Sequence, residues 1–398
     1  MKRLLVLGAG LLQIPVIKKA KGMGIYVLSA DDDPTAPGLA LCDKPLVGYG
    51  IANKEAMLEV ACREKIDGVI HPCSEVAMNT MGYINDQMGL AGVSLETAIR
   101  ATNKHLMREA FEQYGAPSPK SFCFTDMEVA WGYFCTEFPK DAILKPSRNS
   151  GSRGIARIPS TIDEAHFAEL FERAKEESRD KSVMLEQFVE GPEFSVEIIV
   201  WNGQVNVLQV TDKKTTEDPY FVELGHNQPS LFPQAIVEAV KNAAVLGVKA
   251  LKVNNCACHA EVKVQDGQAY LMEIGARLGG DFISTELTHL STGIDMVAAA
   301  ISVALGMEPD LTPKTQPQGV CIRYWHPTPG RLVAIENEDY AKKDYVYQYE
   351  IYHQLGDMIP EVKSSLDRSG HVIVTAPTAK EAIDRAEDVI SNVKLETK

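Results

Sequence analysis

The chain has 398 residues, of which 45% are hydrophobic and 24% charged, and its formal net charge is −14. This composition is typical of a globular protein with about two to four domains or subdomains. The acidic balance argues against binding to nucleic acid or to an anionic membrane surface, although a few local cations are enough for a phosphate ligand. No stretch approaches about 18 uninterrupted apolar residues, so we predict no membrane span and no membrane partner.

The cysteines and the amino-terminal segment indicate a cytoplasmic protein. Eight cysteines occur singly or at irregular spacing, which predicts reduced thiols. Residues 1–7 resemble a short secretory signal, but Gly8, Gly10 and Gln13 interrupt the apolar run and no small-residue cleavage site follows. We therefore expect a β-strand here.

Residues 1–98 alternate between short apolar runs and helical patterns. Such alternation favours βαβ units on a parallel sheet. The expected strands are 3–7, 25–29 and 68–70, and the expected helices are about 11–21 and 54–65.

A helix is predicted from about 103 to 114, because Gly115 suits the position after a helix end and Pro117 prevents its continuation. The residues that follow read as a small α+β unit, then as strands with one long helix near 233–246, and finally as strand-like runs and a terminal helix. The predicted units are 1–98, 99–116, 117–187, 188–312 and 313–398.

The first glycine pair, Gly8 and Gly10, follows a strand and precedes acidic residues by about twenty positions. This spacing is similar to the dinucleotide-binding pattern. Gln13 stands where that pattern has a third glycine, which serves close helix–strand packing beside a pyrophosphate. We therefore favour a tight turn that holds no NAD, with an NAD-dependent enzyme as the alternative.

A second glycine-rich segment follows Lys145, which ends an apolar strand. Small residues let backbone N–H groups approach phosphate oxygens, and the lysine supplies a positive charge. No Gly-Lys-Ser/Thr sequence opens a helix, so this is not a Walker loop. An ordinary hairpin is the alternative to a phosphate-binding loop. The candidate residues are Lys145, Asn149, Ser150, Gly151, Ser152 and Gly154.

Carboxylates dominate the later motifs. An apolar strand leads into Glu186, and acids at a strand end can accept hydrogen bonds from an adenine amino group or a ribose hydroxyl. Further on, a hairpin turn at Asp266-Gly267 joins two strands that carry Glu261 and Glu273. A two-residue loop would pair Glu261 with Met272, whereas a three-residue loop would pair it with Glu273.

Side by side, Glu261 and Glu273 would repel each other unless a cation lay between them, and oxygen ligands suit Mg²⁺. Arg277 follows in a glycine-rich stretch, where an arginine can bind a carboxylate or a transferring phosphoryl group. Solvated acids on an exposed hairpin are the alternative.

Two further groups are interpreted structurally. Cys256, Cys258 and His259 could suggest a soft metal site, but the segment alternates like a strand and no second Cys/His pair lies at a suitable spacing. Cys73, between His71 and Glu75, could be a nucleophile, but a loop after a parallel strand is the favoured interpretation.

Together these motifs resemble the ATP-grasp superfamily over nearly the whole chain. The opening, through the Asp31–Pro37 segment, is similar to the amino-terminal domain of purine-biosynthetic carboxylases and phosphoribosylglycinamide synthetases. The later half resembles carbamoyl-phosphate synthase large chains and L-amino-acid ligases, on residues 221–226, 279–281 and 326–330. The implied fold class is α/β and α+β. It comprises a Rossmann-like pre-ATP-grasp domain (1–98), a linking helix with Lys104 (99–116), a lid subdomain (117–187), an antiparallel-sheet core with the metal and catalytic residues (188–312) and a carboxy-terminal α+β subdomain (313–398).

The resemblance also implies residue roles. Glu261 and Glu273 would bind Mg²⁺, with Mn²⁺ as an alternative, and Arg277 with Lys145 would be catalytic. Many members carry asparagine where this chain has Gly275, so fewer protein ligands are expected for the metal. The implied ATP-binding residues are Lys104, Lys145, Asn149, Ser150, Gly151, Ser152, Gly154, Glu186, Gln187, Phe188, Val189 and Glu193.

The implied activity is that of an ATP-dependent carboxylate–amine ligase. It would form an acyl phosphate, release ADP and phosphate, and join an amino-acid-like acid to an amine. A phosphoribosylglycinamide synthetase-like ligase, a carbamoyl-phosphate synthase-like ligase and a non-catalytic nucleotide sensor are the alternatives. The expected partners are small-molecule carboxylate and amine substrates. The sequence leaves open whether the chain forms a homodimer.

Overall fold

The computed structural model describes residues 1–149, 154–216 and 220–398. The chain begins with a four-stranded parallel sheet of order β3-β2-β1-β4. Residues Leu4 to Leu7 are fully buried, as expected of a parallel strand covered on both faces. The parallel sheet was predicted, whereas the third strand and the last two helices were not. The strands are β1 (Arg3–Leu7), β2 (Tyr26–Asp31), β3 (Lys44–Val47) and β4 (Gly68–Ile70), and the helices are α1 (Ile14–Gly22), α2 (Lys54–Glu64), α3 (Met78–Met88) and α4 (Leu95–Ala101).

Helix α5 (Lys104–Tyr114) connects this sheet to the next unit. The Asn103 side chain accepts a hydrogen bond from the Leu106 N–H at the start of the helix, and Gly115 adopts a left-handed conformation at its end. The predicted helix is confirmed, and its start places Lys104 on the first turn.

A four-stranded antiparallel sheet of order β5-β8-β6-β7 follows. Its two helices cover one face, and Phe134, Phe167 and Phe171 are buried between helices and sheet. The elements are β5 (Ser121–Phe124), α6 (Met127–Glu137), β6 (Ala142–Pro146), β7 (Ala156–Ile158), α7 (Glu164–Glu177) and β8 (Val183–Gln187).

The largest sheet has eight strands in the order β13-β12-β9-β10-β11-β14-β18-β16. Three of these strands come from residues beyond 313, so the sheet is continuous across the boundary predicted there. The elements from 188 to 313 are β9 (Glu193–Trp201), β10 (Gln204–Thr215), β11 (Glu223–Gln228), α8 (Gln234–Ala250), β12 (Cys256–Gln265), β13 (Gln268–Gly275), α9 (Thr288–Thr292) and α10 (Met296–Ala304). The later elements are β14 (Gly319–Trp325), β15 (Gly330–Glu336), β16 (Val346–Ile351), β17 (Met358–Ile359), β18 (Gly370–Ala376), α11 (Ala379–Asn392) and β19 (Lys394–Thr397). Strands β17, β15 and β19 form a separate antiparallel sheet in that order.

The sheets share hydrophobic cores. Helix α10 packs against α1 and β4, so Ile17 of α1 and Ile301 of α10 belong to one buried cluster. Within the described ranges, no single helix has the length and apolar composition to cross a membrane. The bent pair Ile283–Thr292 and Met296–Ala304 passes that test jointly, with an angle of 118° between its halves.

Candidate functional site

A cleft with a volume of about 390 Å³ opens where the parallel sheet, α5, the four-stranded sheet and the eight-stranded sheet meet. Most of the predicted site residues line it, although they come from positions far apart in the sequence. Gly154 is not among the lining residues, and Ser150, Gly151 and Ser152 lie outside the described residues. The predicted residues in the lining are Lys104, Lys145, Asn149, Glu186, Gln187, Phe188, Val189, Glu193, Glu261, Glu273 and Arg277.

The two glutamates of the hairpin face each other, but by a route that neither loop length predicted. Gln265 pairs with Gln268, so the turn has two residues, which alone would oppose Glu261 to Met272. A β-bulge between Glu261 and Val262 shifts the register by one residue and pairs Glu261 with Glu273. The predicted pairing is confirmed, and the bulge is its physical cause.

This pair fits a Mg²⁺ ion that takes part of its coordination from a second ligand. Two carboxylates supply hard oxygen donors, and Gly275 offers no side chain. In the parts of the chain that the structure describes, no group of three or more His, Cys, Asp or Glu side chains is arranged to hold a metal ion. Mg²⁺ commonly binds through one or two carboxylates plus substrate phosphates.

Lys104 lies against this carboxylate pair. Its Nζ is 3.1 Å from the Glu273 carboxylate and donates to the Asn149 carbonyl oxygen at 3.0 Å. Burial would lower the pKa of Lys104, but the Glu273 and Glu75 carboxylates outweigh it and raise that pKa. The lysine is therefore a fixed positive charge at the cleft floor.

Lys145, Glu186 and Arg108 form a buried ionic triad. The Lys145 Nζ is 2.5 Å from Glu186, and Arg108 contacts the same carboxylate through Nε at 2.9 Å and a second nitrogen at 3.3 Å. Burial lowers the pKa of Lys145 to about 8 against the opposing effect of Glu186. The adenine contact predicted for Glu186 stays a prediction, and in the free protein its carboxylate holds Lys145.

Arg108 was not predicted from the sequence, although a signal for it exists. It lies four residues after Lys104 on α5, so both side chains lie on one face of the helix. That face also carries the buried Phe111. A cation on an otherwise apolar face requires a buried anion, and Glu186 is that anion.

The wall near Glu186 is apolar. The ring of Phe188 lies in the cleft with the side chains of Ile143, Val189 and Met272. The Arg157 guanidinium lies 4.3 Å from the centroid of the Phe188 ring. Such a slot accepts a flat heteroaromatic ring, which is consistent with the predicted adenine position.

Lys213 on β10 is a second residue that sequence reasoning missed. Its Nζ lies 2.6 Å from Glu193, 3.1 Å from Glu261 and 3.6 Å from Glu223. Burial opposes its charge, but the three carboxylates raise its pKa well above the usual value. The only sequence signal is a lysine pair at the end of an alternating strand, where Lys214 takes the other face and pairs with Glu387.

The loop after β4 brings a further carboxylate to the cleft. Burial and the neighbouring Glu273 carboxylate raise the pKa of Glu75 to about 7. On the same loop, burial raises the pKa of the Cys73 thiol to about 11, so it is not a thiolate nucleophile at neutral pH. The Arg277 Nε is buried with no hydrogen-bond partner in the described chain, as expected of a group that receives an anion.

His259 lies between Glu261 of the carboxylate pair and the buried Glu197. Its Nδ1 is 2.5 Å from Glu197, and its Nε2 is 3.6 Å from Glu261. Glu197 also accepts a hydrogen bond from Ser284. The segment that includes Cys258 is strand β12, and Cys258 is fully buried. The strand predicted for this segment is confirmed.

The first glycine turn lies apart from this arrangement. The Ala9 N–H donates to the Asp31 carboxylate at 2.7 Å, so a negative charge already occupies the turn. Gly8 has a φ of +100°, and a Cβ there would lie 3.0 Å from the Gln13 side chain. The Ala9 N–H of this turn is therefore already paired with a carboxylate of the chain itself.

Residues of the carboxy-terminal region close one end of the cleft. Arg368 binds both oxygens of Asp281, at 2.6 and 2.7 Å, and its guanidinium lies over the Tyr324 ring. Ser365 donates to the Glu223 carboxylate at 2.8 Å.

Comparisons with known proteins agree with this geometry. Residues 138–286 match the ATP-grasp domain, and residues 323–398 match the L-amino acid ligase C-terminal domain 2. The chain contains an ATP-grasp domain. Its whole fold is similar to that of an L-amino acid ligase from Bacillus licheniformis, with a TM-score of 0.83 at 20% identity over 100% of this chain and 99% of that one.

A phosphoribosylglycinamide synthetase from Anaerococcus prevotii has a TM-score of 0.79 at 25% identity, with full coverage of both chains. Among curated proteins, the alanine–anticapsin ligase of Bacillus subtilis is 27% identical over 278 residues, which are 65% of this chain and 58% of that protein. The L-arginine-specific L-amino acid ligase of the same species is 23% identical, over 78% of this chain and 76% of that protein. The ATP-grasp fold is thus shared with ligases of different substrates.

Proposed function

We propose that this ATP-grasp protein is an ATP-dependent ligase that activates a carboxylate as an acyl phosphate and joins it to an amine. The observation that carries the proposal is the facing pair Glu261 and Glu273, which lies where Lys104, Lys213 and Arg277 meet. Two carboxylates for a divalent cation, surrounded by cations for phosphate groups, suit phosphoryl transfer from ATP.

The chain offers a separate place for each part of the nucleotide. The apolar slot at Phe188 receives adenine, and Glu193 lies at the position for a ribose hydroxyl. Lys104 and Lys145 contact the phosphates, while Glu261 and Glu273 hold Mg²⁺. Bound there, Mg²⁺ would offset phosphate charge and polarise the transferring phosphoryl group.

Arg277 holds the acid. Its buried Nε is free to pair with a carboxylate, and a fork of N–H donors fixes both carboxylate oxygens. A carboxylate oxygen attacks the γ-phosphorus of ATP, and ADP leaves. The amine nitrogen then attacks the acyl carbon, the C–N bond forms, and phosphate leaves as the amine releases a proton. Exclusion of water during these steps protects the acyl phosphate.

An amino-acid-like acid and an uncharged or cationic amine suit the cleft best. Glu75 and Glu223 line the same cleft as Arg277, and the charge of Asp281 is balanced by Arg368. Carboxylates at this end favour an ammonium group over an anion. The names of the ligases with similar sequences support amino acids as the substrate class.

A phosphoribosylamine is the rival amine, because a phosphoribosylglycinamide synthetase shares the fold. Its phosphate would need free N–H donors or cations near the amino-terminal turn. The Ala9 N–H donates to the Asp31 carboxylate instead, and the Gly50 N–H donates to the Asp32 carboxylate. A carboxylate at each donor repels a phosphate, so we favour an amino acid over a phosphoribosylamine as the amine substrate.

Isotope transfer tests the proposal. The enzyme is incubated with Mg-ATP and amino acids labelled with ¹⁸O in the carboxyl group, and nucleotide and phosphate are analysed by mass spectrometry. ADP with labelled inorganic phosphate supports an acyl phosphate. AMP and pyrophosphate would refute the scheme, because they indicate adenylation. Activity only with a phosphoribosylamine acceptor would select the rival amine.

Arg277→Met tests the role assigned to Arg277, and Arg331→Met is its matched control. It should lose label transfer while it still binds a non-hydrolysable ATP analogue, because Arg277 serves the acid and not the adenine slot. Arg331→Met changes an arginine that donates to the Gly356 carbonyl oxygen, away from the cleft, and should transfer label normally. Equal label transfer by both variants would remove Arg277 from the proposed role.

A further inference from the structure

The carboxylates assigned to metal and ribose are not free in this structure. Lys213 is 3% exposed, and its ammonium group contacts Glu193, Glu223 and Glu261 together. A single cation thus balances three carboxylates from three strands. Without it, these carboxylates would repel one another across the cleft.

Lys104 has the same relation to the other metal carboxylate. Its Nζ lies 3.1 Å from Glu273. Each glutamate of the facing pair therefore has its own lysine, and the two lysines come from different parts of the chain, α5 and β10. The carboxylate pair is balanced by internal cations in the free protein.

The same pair is a weak metal site by itself. Two carboxylates provide fewer ligands than Mg²⁺ requires, and the described residues add no third His, Cys, Asp or Glu to the set. A metal ion that arrives alone would have to displace both lysines and would leave them buried without an anion. A metal ion that arrives with phosphate groups brings the lysines new partners.

We propose that Lys213 is a place-holder for the metal ion, and that it moves from Glu261 and Glu193 to a phosphate oxygen when nucleotide and metal bind together. Lys104 makes the parallel exchange from Glu273. In this exchange the metal ion replaces the lysines at Glu261 and Glu273, the phosphate oxygens receive the lysines, and Glu193 accepts from a ribose hydroxyl, so each of these charged groups keeps a polar partner. Metal binding is therefore dependent on nucleotide, which keeps the cleft closed to free divalent cations. This inference rests on the proposed Mg–ATP site.

The test measures metal binding directly. Mn²⁺ is titrated into the protein without nucleotide at mildly alkaline pH, where the carboxylates stay ionised, and free Mn²⁺ is followed by EPR. Wild-type protein should bind Mn²⁺ weakly without nucleotide and tightly with a non-hydrolysable ATP analogue. Lys213→Met should bind Mn²⁺ about tenfold or more tightly without nucleotide, because hydrogen bonds between charged groups contribute about 1.5–3 kcal/mol each.

Two matched variants make the result specific. Lys213→Arg keeps the cation and should bind Mn²⁺ without nucleotide as weakly as the wild type does. Lys214→Met removes the next lysine of the same strand, which pairs with Glu387 on the opposite face, and should also behave as wild type. Circular dichroism checks the fold of each variant. If Lys213→Met does not fold, the double variant Lys213→Met with Glu223→Gln relieves the repulsion and replaces it.

Either of two results would overturn the place-holder role. One is equal Mn²⁺ affinity of the Lys213→Met and wild-type proteins without nucleotide. The other is tight Mn²⁺ binding by the wild type that nucleotide does not strengthen. A wild-type protein that binds no ATP analogue even with Mn²⁺ would instead refute the proposed function, so the two failures are distinguishable.

Discussion

Replacing Glu186 by glutamine should reduce both stability and nucleotide affinity, because it leaves two buried cations without their shared anion. Glu186 is 1% exposed, and its ionic partners Lys145 and Arg108 are 8% and 5% exposed. Removal of one partner from a buried ion pair costs about 3–5 kcal/mol. The glutamine carbonyl still accepts one hydrogen bond, so we expect a loss of about 3 kcal/mol in the free energy of unfolding.

The same change should alter how nucleotide affinity depends on pH. Burial lowers the pKa of Lys145 to about 8, and Glu186 opposes that shift. Without Glu186, burial and the repulsion from Arg108 and Lys104 remain, so this pKa falls further. A lysine attracts phosphate only when it is charged, which is below its pKa. As pH rises, the nucleotide affinity of the variant should therefore begin to decline at a lower pH than that of the wild type. At pH 8 the loss of one charged contact weakens binding by about 10- to 100-fold.

Urea unfolding and titration of a non-hydrolysable ATP analogue from mildly acidic to alkaline pH measure both effects. Glu137→Gln is the control, because the Lys120–Glu137 pair has the same 2.5 Å separation but is 46% and 41% exposed. An exposed pair contributes about 0–1 kcal/mol. If Glu186→Gln matched Glu137→Gln in stability and in its pH profile, the reasoning about the buried triad would be wrong.

Three further changes have defined outcomes. Glu273→Gln should abolish ATP turnover in a folded protein, because one of two metal carboxylates is lost; normal turnover of the folded variant would contradict the metal assignment. Glu75→Gln should become more stable than the wild type as pH rises, because the glutamine does not ionise. The pKa of Glu75 is raised from 4.5 to about 7 in the folded state, so its contribution is complete below pH 4.5 and is lost through pH 7. The melting temperatures of variant and wild type should coincide at low pH and differ by the equivalent of about 3 kcal/mol at most above pH 7. Arg368→Lys keeps the charge but loses the fork onto Asp281, so the KM for the amine should rise about tenfold with little change in the KM for ATP; equal changes in both constants would argue against a role at the amine end.

Local sequence signals predicted much of the fold. The apolar run at 3–7 formed a parallel strand, and Asn103 with Gly115 bounded α5 almost as expected. These elements were predictable because their causes lie within a few residues: hydrophobic period, caps and turn residues. Helix α3 was not predicted, because its N-cap residue, Ala77, has no side chain that could accept a capping hydrogen bond.

The site was harder to predict, because its contacts join distant parts of the chain. The facing of Glu261 and Glu273 was expected from the hairpin, yet the structure reaches it through a bulge that no turn signal indicates. Lys213 resembles any lysine on an exposed strand face until β9, β11 and β12 bring three carboxylates around it. Charge pairing of this kind depends on which strands become neighbours, and strand order cannot be read from local periodicity.

The carboxy-terminal region shows most directly why the units predicted from sequence do not act separately. Strands β14, β18 and β16 extend the same sheet that carries the metal carboxylates, and β14 pairs with β11 along Gly225 to Gln228. If this region were absent, the edge of β11 would lose its hydrogen-bonded partner, and Asp281 would keep its buried charge without Arg368. Both costs fall on residues that flank the proposed amine end of the cleft. The region that matches the L-amino acid ligase domain therefore contributes to the shape and charge of the proposed acceptor site, and not only to the stability of the sheet.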